Sequence, residues 1–297
     1  MKVGFVALVG RPNAGKSTLL NRLVGERLAI VSDKPQTTRT RILAVRTTAD
    51  AQLILVDTPG VHRPLHKMNV RMMHEVRESL RDVDVLGVLV DASEPPGGGD
   101  RYLLTLLDQV KAPVVLVLNK IDLMARAKLL PVIDRYRQAR EFAEIVPVSA
   151  LTGENIDRLD AVLRERLPEG EPLYPPDYLT DQPERFFVAE IVREKVLQQT
   201  HAELPFSTAV VVDRFEEPDA HGLMRFYCSI LVDRESQKPI LVGRQGAMIK
   251  AIGTAARVDL EAFFQTRVYL DLRVKVRARW RDDERVLDEL GLRRDGK

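Results

Sequence analysis

Lys16 and Ser17 close the run Gly10-Arg11-Pro12-Asn13-Ala14-Gly15-Lys16-Ser17, with Thr18 next. The spacing GxxxxGK[ST], between an apolar strand-like run and a helical pattern, is that of a phosphate-binding loop. Backbone N–H groups of such a loop surround phosphate oxygens. The Lys16 ammonium can reach β- and γ-phosphates, and the Ser17 hydroxyl can ligate Mg2+. The loop alone does not choose between ATP and GTP. Asn119-Lys120-Ile121-Asp122 chooses, because the Asp122 carboxylate only accepts hydrogen bonds. Guanine offers it two adjacent donors, a ring N–H and an exocyclic amine. Adenine presents an unprotonated ring nitrogen there, which leaves a charge unpaired at high cost.

Three more segments fit the same ligand. Asp57-Thr58-Pro59-Gly60 follows a strand-like run. Asp57 can hold Mg2+ through water, and the Gly60 N–H can approach a γ-phosphate where a side chain would obstruct. Gln36-Thr37-Thr38-Arg39-Thr40 offers a threonine to complete the metal shell, Thr38 in preference to Thr37. Ser149-Ala150-Leu151 can present backbone donors to the guanine O6. His62 and His66 follow Gly60 and read as exposed loop residues rather than general bases.

A second glycine turn, Gly243-Arg244-Gln245-Gly246, lies between an apolar run and a helical pattern. It lacks the Lys-Ser pair, so it is poorly equipped for a triphosphate with Mg2+. Its glycines, Arg244 and Lys250 suit the backbone of a nucleic acid. In the strand expected over 268–280, Leu270, Leu272, Val274, Val276, Ala278 and Trp280 share one face. Arg273, Lys275, Arg277, Arg279 and Arg281 share the other, a local positive field in a chain of net charge only +2. A solvated, edge-protecting face is the competing reading of that strand. Phe226, Tyr227 and Trp280 lie in apolar strand patterns and read as core.

These residues need elements to hold them. Strands are expected over 3–9, 42–46, 52–56, 85–90, 114–118 and 145–148, and helices over 16–24, 68–80, 102–109 and 156–166. Such alternation makes an α/β fold with a mostly parallel sheet covered on both faces. The connection between 46 and 52 is too short for a crossover, so that pair is antiparallel. Five prolines in 168–185 exclude a helix or a central strand and mark an interdomain linker. Beyond it come a helix (187–199), strands (208–215, 225–232 and a short 239–242), helices (247–252 and 255–264), the strand 268–280 and a helix (282–290), a smaller α+β domain. The expected division is therefore 1–167, linker 168–185, and 186–297 with a C-terminal tail.

Composition is that of a soluble globular chain, 45% hydrophobic and 30% charged. A single cysteine, Cys228, excludes an internal disulfide, and no Cys/His cluster has zinc spacing. The N-terminus runs straight into the first glycine loop, unlike a signal peptide. No apolar run approaches the length of a membrane span. A reducing cytosol fits, and surface association with a membrane stays open.

The five nucleotide segments, in this order, resemble a Ras-like P-loop GTPase. The resemblance implies that 36–40 and 57–67, including Gln36, Thr37, Thr38, Thr58, Pro59 and Val61, form switches held by γ-phosphate and Mg2+ and released on hydrolysis. One departure stands out: small Ras-like GTPases place a water-orienting glutamine where this chain has Val61. In a group of bacterial GTPases with a hydrophobic residue there, the asparagine equivalent to Asn13 helps bind K+, which acts like an arginine finger. The resemblance implies slow turnover stimulated by K+, beside the plainer reading that Asn13 stabilises the loop.

The C-terminal order and its GxxG resemble a type II KH domain, whose loop clamps about four nucleotides of single-stranded nucleic acid. GRPNAGKST, QTTRTRI, DTPG, NKID, SALTGEN, AELPFS, ILVGRQGAMIKAIG and DDER together resemble the Era family over nearly the whole chain. That implies binding of GTP and GDP, single-stranded RNA from the 3′ region of 16S ribosomal RNA, a role in 30S subunit maturation, and a cytoplasmic location with peripheral membrane association. A P-loop kinase, a GTPase whose C-terminal domain docks a protein, and a GTPase of tRNA modification or large-subunit assembly are the alternatives.

Overall fold

The N-terminal apolar runs are continuous enough to be buried on both faces, and in the computed structural model they are. The structure describes residues 1–34, 36–62, 64–201 and 204–292. Arg63 of the expected second switch, Ala202 and Glu203 of AELPFS, and 293–297 lie outside the described residues. The chain forms two units.

In the first unit, β1 (Lys2–Gly10), β3 (Ala51–Asp57), β4 (Val85–Asp91), β5 (Val114–Asn119) and β6 (Glu144–Pro147) are parallel. β2 (Ile42–Thr47) is antiparallel to β3, as its short connection requires. The order is β2-β3-β1-β4-β5-β6. Every position of β3 and β5 is buried, the pattern of a sheet covered on both faces. On one face, Met73 and Val76 of α2 (Lys67–Ser79), Leu103 of α3 (Gly98–Leu106) and Tyr136 of α4 (Leu129–Ala139) join Ala7, Val9, Val88 and Leu116 in one core. α1 (Lys16–Val24) buries Leu19, Leu20 and Leu23, and α5 (Ile156–Glu165) buries Ile156, Leu159 and Leu163. α4 is additional to the expected helices; Pro131 interrupts its pattern but sits in the first turn, where no N–H is needed.

The proline-rich segment does not run free. It lies along the sheet edge: Val45 N–H donates to Leu179 O at 2.8 Å. The buried Gln52 side chain accepts from the N–H groups of Leu173 and Tyr174 and donates to Tyr174 O, at 2.7, 3.0 and 2.8 Å. Tyr174 and Tyr178 stack at 4.7 Å over Val3, Leu43, Val45 and Ile54. Proline bars the segment from a central strand but not from this edge position.

The second unit is built chiefly from residue 182 onward, with stretches in 32–37 and 65–71. α6 (Glu184–Gln199), β7 (Thr208–Glu216), β8 (Leu223–Val232), α7 (Lys238–Val242), α8 (Ala247–Phe264), β9 (Arg267–Val276) and α9 (Glu284–Glu289) follow in order. The sheet order is β7-β8-β9, with β8 antiparallel to β7 and parallel to β9. Val192, Phe226, Cys228, Ile230, Leu241, Ile252, Ala256, Leu260 and Val274 form its core, and burial pushes the Cys228 thiol up to about 12.

Several expectations change here. The short strand over 239–242 is instead the helix α7, with Pro239 in its first turn; a four-residue apolar run does not distinguish the two. The two helices over 247–252 and 255–264 are one, α8, which runs through Gly253. β9 ends at Val276, four residues before Trp280. Trp280 is buried in the following turn, its indole N–H donating to Ser207 O at 2.9 Å. Tyr227 alternates with buried Phe226, so it is half-buried on the other sheet face, edge-on to Tyr269 and beneath Arg214. Among the described residues no helix is long and apolar enough to cross a membrane.

Candidate functional site

Parallel strands end on the same edge of a sheet, and ligands of such folds bind there. β1 delivers Gly10, β3 delivers Asp57 and β5 delivers Asn119 to that edge. Between β1 and α1 the loop turns through Asn13 (φ 63°) and Gly15 (φ 93°). A Cβ on Gly15 would stand 2.2 Å from Asn119 Nδ2, so glycine is required by both space and conformation. The Lys16 ammonium is buried and donates to Gly10 O at 3.4 Å and Arg11 O at 3.1 Å. Burial holds it below the usual lysine range, with Asp57 opposing that effect.

Ser17, Thr38 and Asp57 converge although they are far apart in sequence. Ser17 Oγ donates to Asp57 Oδ2 at 2.8 Å and lies 2.7 Å from Thr38 Oγ1, which is itself 3.1 Å from the same carboxylate oxygen. Asp57 is fully buried, and its Oδ1 has no hydrogen-bond partner among the described residues. Burial raises its pKa, with Lys16 and the two hydroxyls opposing. A carboxylate and two hydroxyls around an orphaned buried oxygen form the hard, all-oxygen donor set that Mg2+ takes. Thr37 points elsewhere, donating to Lys34 O at 2.6 Å. Gln36 sits at φ 62°.

The Asp57–Gly60 turn is fitted against the phosphate loop. Thr58 Oγ1 donates to Leu8 O at 2.8 Å, and Val61 N–H donates to Gly10 O at 2.9 Å. A Cβ on Gly60 would lie 2.7–2.8 Å from Pro12 backbone and ring atoms. Gly60→Ala must therefore lift the turn off the loop. We expect GTP turnover to fall roughly 100-fold, the scale of a 1 Å misplacement, while GDP binding is largely kept. Wild-type turnover of this variant would show that the contact is dispensable. Val61 is 2% exposed and packs in the core with Ala7 and Val9. His62 lies at 2.7 Å from Gly60 O through Nδ1 and is half-buried rather than exposed.

Asn119 has both polar atoms engaged: Nδ2 donates to Ala14 O at 2.8 Å and Oδ1 accepts from Ala150 N–H at 2.9 Å. It clamps the phosphate loop to the Ser149–Leu151 segment, a role its motif does not announce. Lys120 (φ 65°) turns its ammonium to Asp91, at 2.6 Å. Asp122 and Leu151 are exposed at the rim, and Ser149 is buried with its hydroxyl accepting from Thr152 N–H at 3.1 Å. Arg22, which sequence reasoning passed over, holds the same segment by donating to Ala150 O and Leu151 O. Only its place in α1, the helix that the phosphate loop opens, hinted at that.

In the second unit, α7 stops at Gly243 (φ 74°), Gln245 and Gly246 take φ 53° and 78°, and α8 begins. A Cβ on Gly243 would stand 2.7 Å from Met248, whereas nothing lies within 4 Å of one on Gly246. Arg244, Gln245 and Lys250 are exposed. Beside the loop a groove of about 430 Å3 runs between α8 and β9, lined by Ile249, Lys250, Gly253, Arg257, Tyr269 and Leu272 among others. Gly253 is the sequence signal for it: a glycine mid-helix keeps the groove open, with Leu272 3.5 Å from where a Cβ would be. The basic run is corrected. Only Arg273 and Lys275 lie on β9; Arg277, Arg279 and Arg281 follow it, and none of the five lines the groove. Arg273, Lys275, Arg277 and Arg281 pair with Asp271, Asp213, Asp283 and Asp233 at 3.0–3.2 Å. The expected positive field is largely neutralised, by Asp271 and Asp283 close in sequence and by Asp213 and Asp233 far from it.

A family model described as "50S ribosome-binding GTPase" matches residues 5–120, and a KH domain model matches 203–281. GTPase Era of Syntrophus aciditrophicus is 49% identical over 98% of this chain and 95% of its own length. The chain belongs to the Era family of GTPases. GTPase Era of Geobacter metallireducens is 47% identical, with 97% of each chain covered. Among solved Era structures, an Aquifex aeolicus variant bound to GDP and AlF4− is 41% identical, covers 98% of this chain and 99% of its own, and superposes with a TM-score of 0.94. Era in complex with MgGDPNP and nucleotides 1506–1542 of 16S ribosomal RNA is 42% identical, with the same coverage and a TM-score of 0.95. As an Era-family member the chain is a GTP-hydrolysing enzyme with a C-terminal KH domain, and the kinase reading is set aside.

Proposed function

We propose that this GTPase binds single-stranded RNA from the 3′ region of 16S ribosomal RNA and acts as a GTP-driven switch in maturation of the small ribosomal subunit. The observation that carries this is the Era complex with MgGDPNP and nucleotides 1506–1542, whose protein matches this chain at a TM-score of 0.95. Nucleotide work belongs to 1–167 and RNA work to 186–297, joined through 168–185.

Residues Gly10–Ser17 orient the triphosphate through backbone N–H groups, and Lys16 exchanges its two carbonyl partners for phosphate oxygens. Bound Mg2+ supplies positive charge between β- and γ-oxygens; Ser17, Thr38 and Asp57 are the residues that would hold it. Thr58, Pro59 and Gly60 place a backbone N–H beside Pro12, at the γ-phosphate end. Asp122 reads the guanine edge, while Asn119 keeps Ala14 and Ala150 in place around the base.

Val61 is a core residue, so the attacking water is oriented by other means. K+ held with the help of Asn13 is that means, a cation for the transition-state charge that an arginine finger meets elsewhere. Single-turnover hydrolysis is then expected to be at least about tenfold faster in K+ than in Na+; equal rates would reduce Asn13 to a loop residue.

Gly243, Arg244, Gln245 and Gly246 clamp the RNA backbone, with Lys250 beside them and bases entering the groove. Arg273, Lys275, Arg277 and Arg281 reach flanking phosphates by exchanging carboxylate partners, and Arg279 does so from its exposed turn. The cytoplasm, with peripheral contact to the inner membrane, is the compartment that fits. The test is crosslinking in cells followed by sequencing of the bound RNA. The 3′ end of 16S ribosomal RNA should dominate; enrichment of tRNA or large-subunit RNA would overturn the assignment.

A further inference from the structure

The turn before α3 reads Gly97-Gly98-Gly99-Asp100, and nothing described so far uses it. Asp100 is 4% exposed, in the first turn of α3. Its Oδ2 accepts from Gly97 N–H at 2.7 Å, an ordinary helix-start contact. The same oxygen accepts from Arg11 Nη1 at 2.8 Å. Arg11 belongs to the phosphate loop, so a carboxylate far along the chain holds that loop by a side chain.

The glycines make room for this grip. A Cβ on Gly99 would stand 3.0 Å from Arg11 Nε and 3.1 Å from its Cδ, and one on Gly97 would stand 3.6 Å from Nη1. The arginine stem therefore lies across a side-chain-free platform. The Arg11 main chain is the part of the loop that the reaction needs fixed. Its carbonyl accepts from the Lys16 ammonium at 3.1 Å and from Ala14 N–H at 3.3 Å. The next residue, Pro12, is the surface against which Gly60 is fitted. A shift of Arg11 moves the lysine's resting place and the seat of the γ-phosphate turn together.

We propose that Asp100 is a positioning residue for GTP hydrolysis, acting through Arg11 to hold the phosphate loop against α3. The inference concerns the family's GTPase activity and is independent of the RNA reading. A buried carboxylate that loses its cation is left unpaired, so the pair behaves as one unit, and its two members should not act additively.

The experiment measures single-turnover GTP hydrolysis, GDP affinity and melting temperature, without RNA, for the full-length wild type, Asp100→Asn, Arg11→Gln and the double variant. Each single variant is expected to slow hydrolysis by about tenfold to 100-fold while GDP affinity changes by less than about threefold, and the double should be no slower than the slower single. Gly99→Ala crowds Arg11 from the Nε side while leaving both charged residues in place. It should slow hydrolysis in the same way and stands in if Asp100→Asn does not fold. Lowered melting temperatures with hydrolysis within about twofold of wild type would make the pair structural only, and additive losses in the double would separate Asp100 from Arg11. Either result overturns the proposal.

Discussion

Asp122→Asn is expected to turn this GTPase into one that prefers xanthine nucleotides. The carboxylate accepts from two adjacent guanine donors, and an amide replaces one acceptor with a donor that then faces the guanine amine. A polar group left without its partner is discriminated against by about 10^4–10^5 where the site is fully closed. Asp122 lies on an exposed rim, so a loss of about 10^2–10^3 in GTP affinity is the more fitting scale. Xanthosine triphosphate carries a carbonyl where guanine has the amine, and should restore both binding and turnover. The check is competition of GTP, ATP and xanthosine triphosphate against a fluorescent nucleotide. Unchanged GTP affinity would remove Asp122 from the base site. Asn119 is not equivalent to it despite sharing the motif, because its amide is spent on Ala14 and Ala150.

Replacing Arg244 and Gln245 together by aspartate is expected to abolish RNA capture and spare GTP hydrolysis. Both residues are exposed between Gly243 and Gly246, where a nucleic-acid backbone must pass. Two carboxylates there repel phosphates at contact range. Affinity for a 16S 3′-terminal oligonucleotide should fall about 100-fold or more at physiological salt, and the salt dependence should flatten by about one counterion. Filter binding over a salt series, beside a GTPase assay without RNA, reads both quantities. Retained RNA affinity would favour the alternative in which this unit docks a protein.

How far these sites were legible depends on distance along the chain. The phosphate loop, Asp57–Gly60 and Asn119–Asp122 are short runs whose chemistry is complete within a few residues, and strand ends deliver them to one edge as the alternation implies. What the local run does not contain was misread. Two of the cations after Leu272 looked unopposed because their partners sit far away, Asp213 on β7 for Lys275 and Asp233 after β8 for Arg281, whereas Asp271 and Asp283, the partners of Arg273 and Arg277, are local. That the proline-rich segment lies on the sheet edge was not legible, because Gln52, which holds it there, lies more than a hundred residues earlier. α7 looked like a strand because a run of four apolar residues fits both periods. The groove was hidden because Gly253 read as a break between helices rather than as a gap in one. Val61 was recognised as unable to orient water, but only packing shows that it belongs to the core.

The two glycines of the second loop answer to different masters. Position 243 has no space for a side chain, whereas position 246 has open space and needs only a left-handed backbone, which asparagine also tolerates. A deep mutational scan selected for soluble expression should therefore keep glycine at 243 and admit asparagine at 246. The same library selected for RNA capture should keep glycine at both. Subtracting one enrichment map from the other isolates what the bound phosphate demands from what the fold demands, at adjacent corners of a single turn.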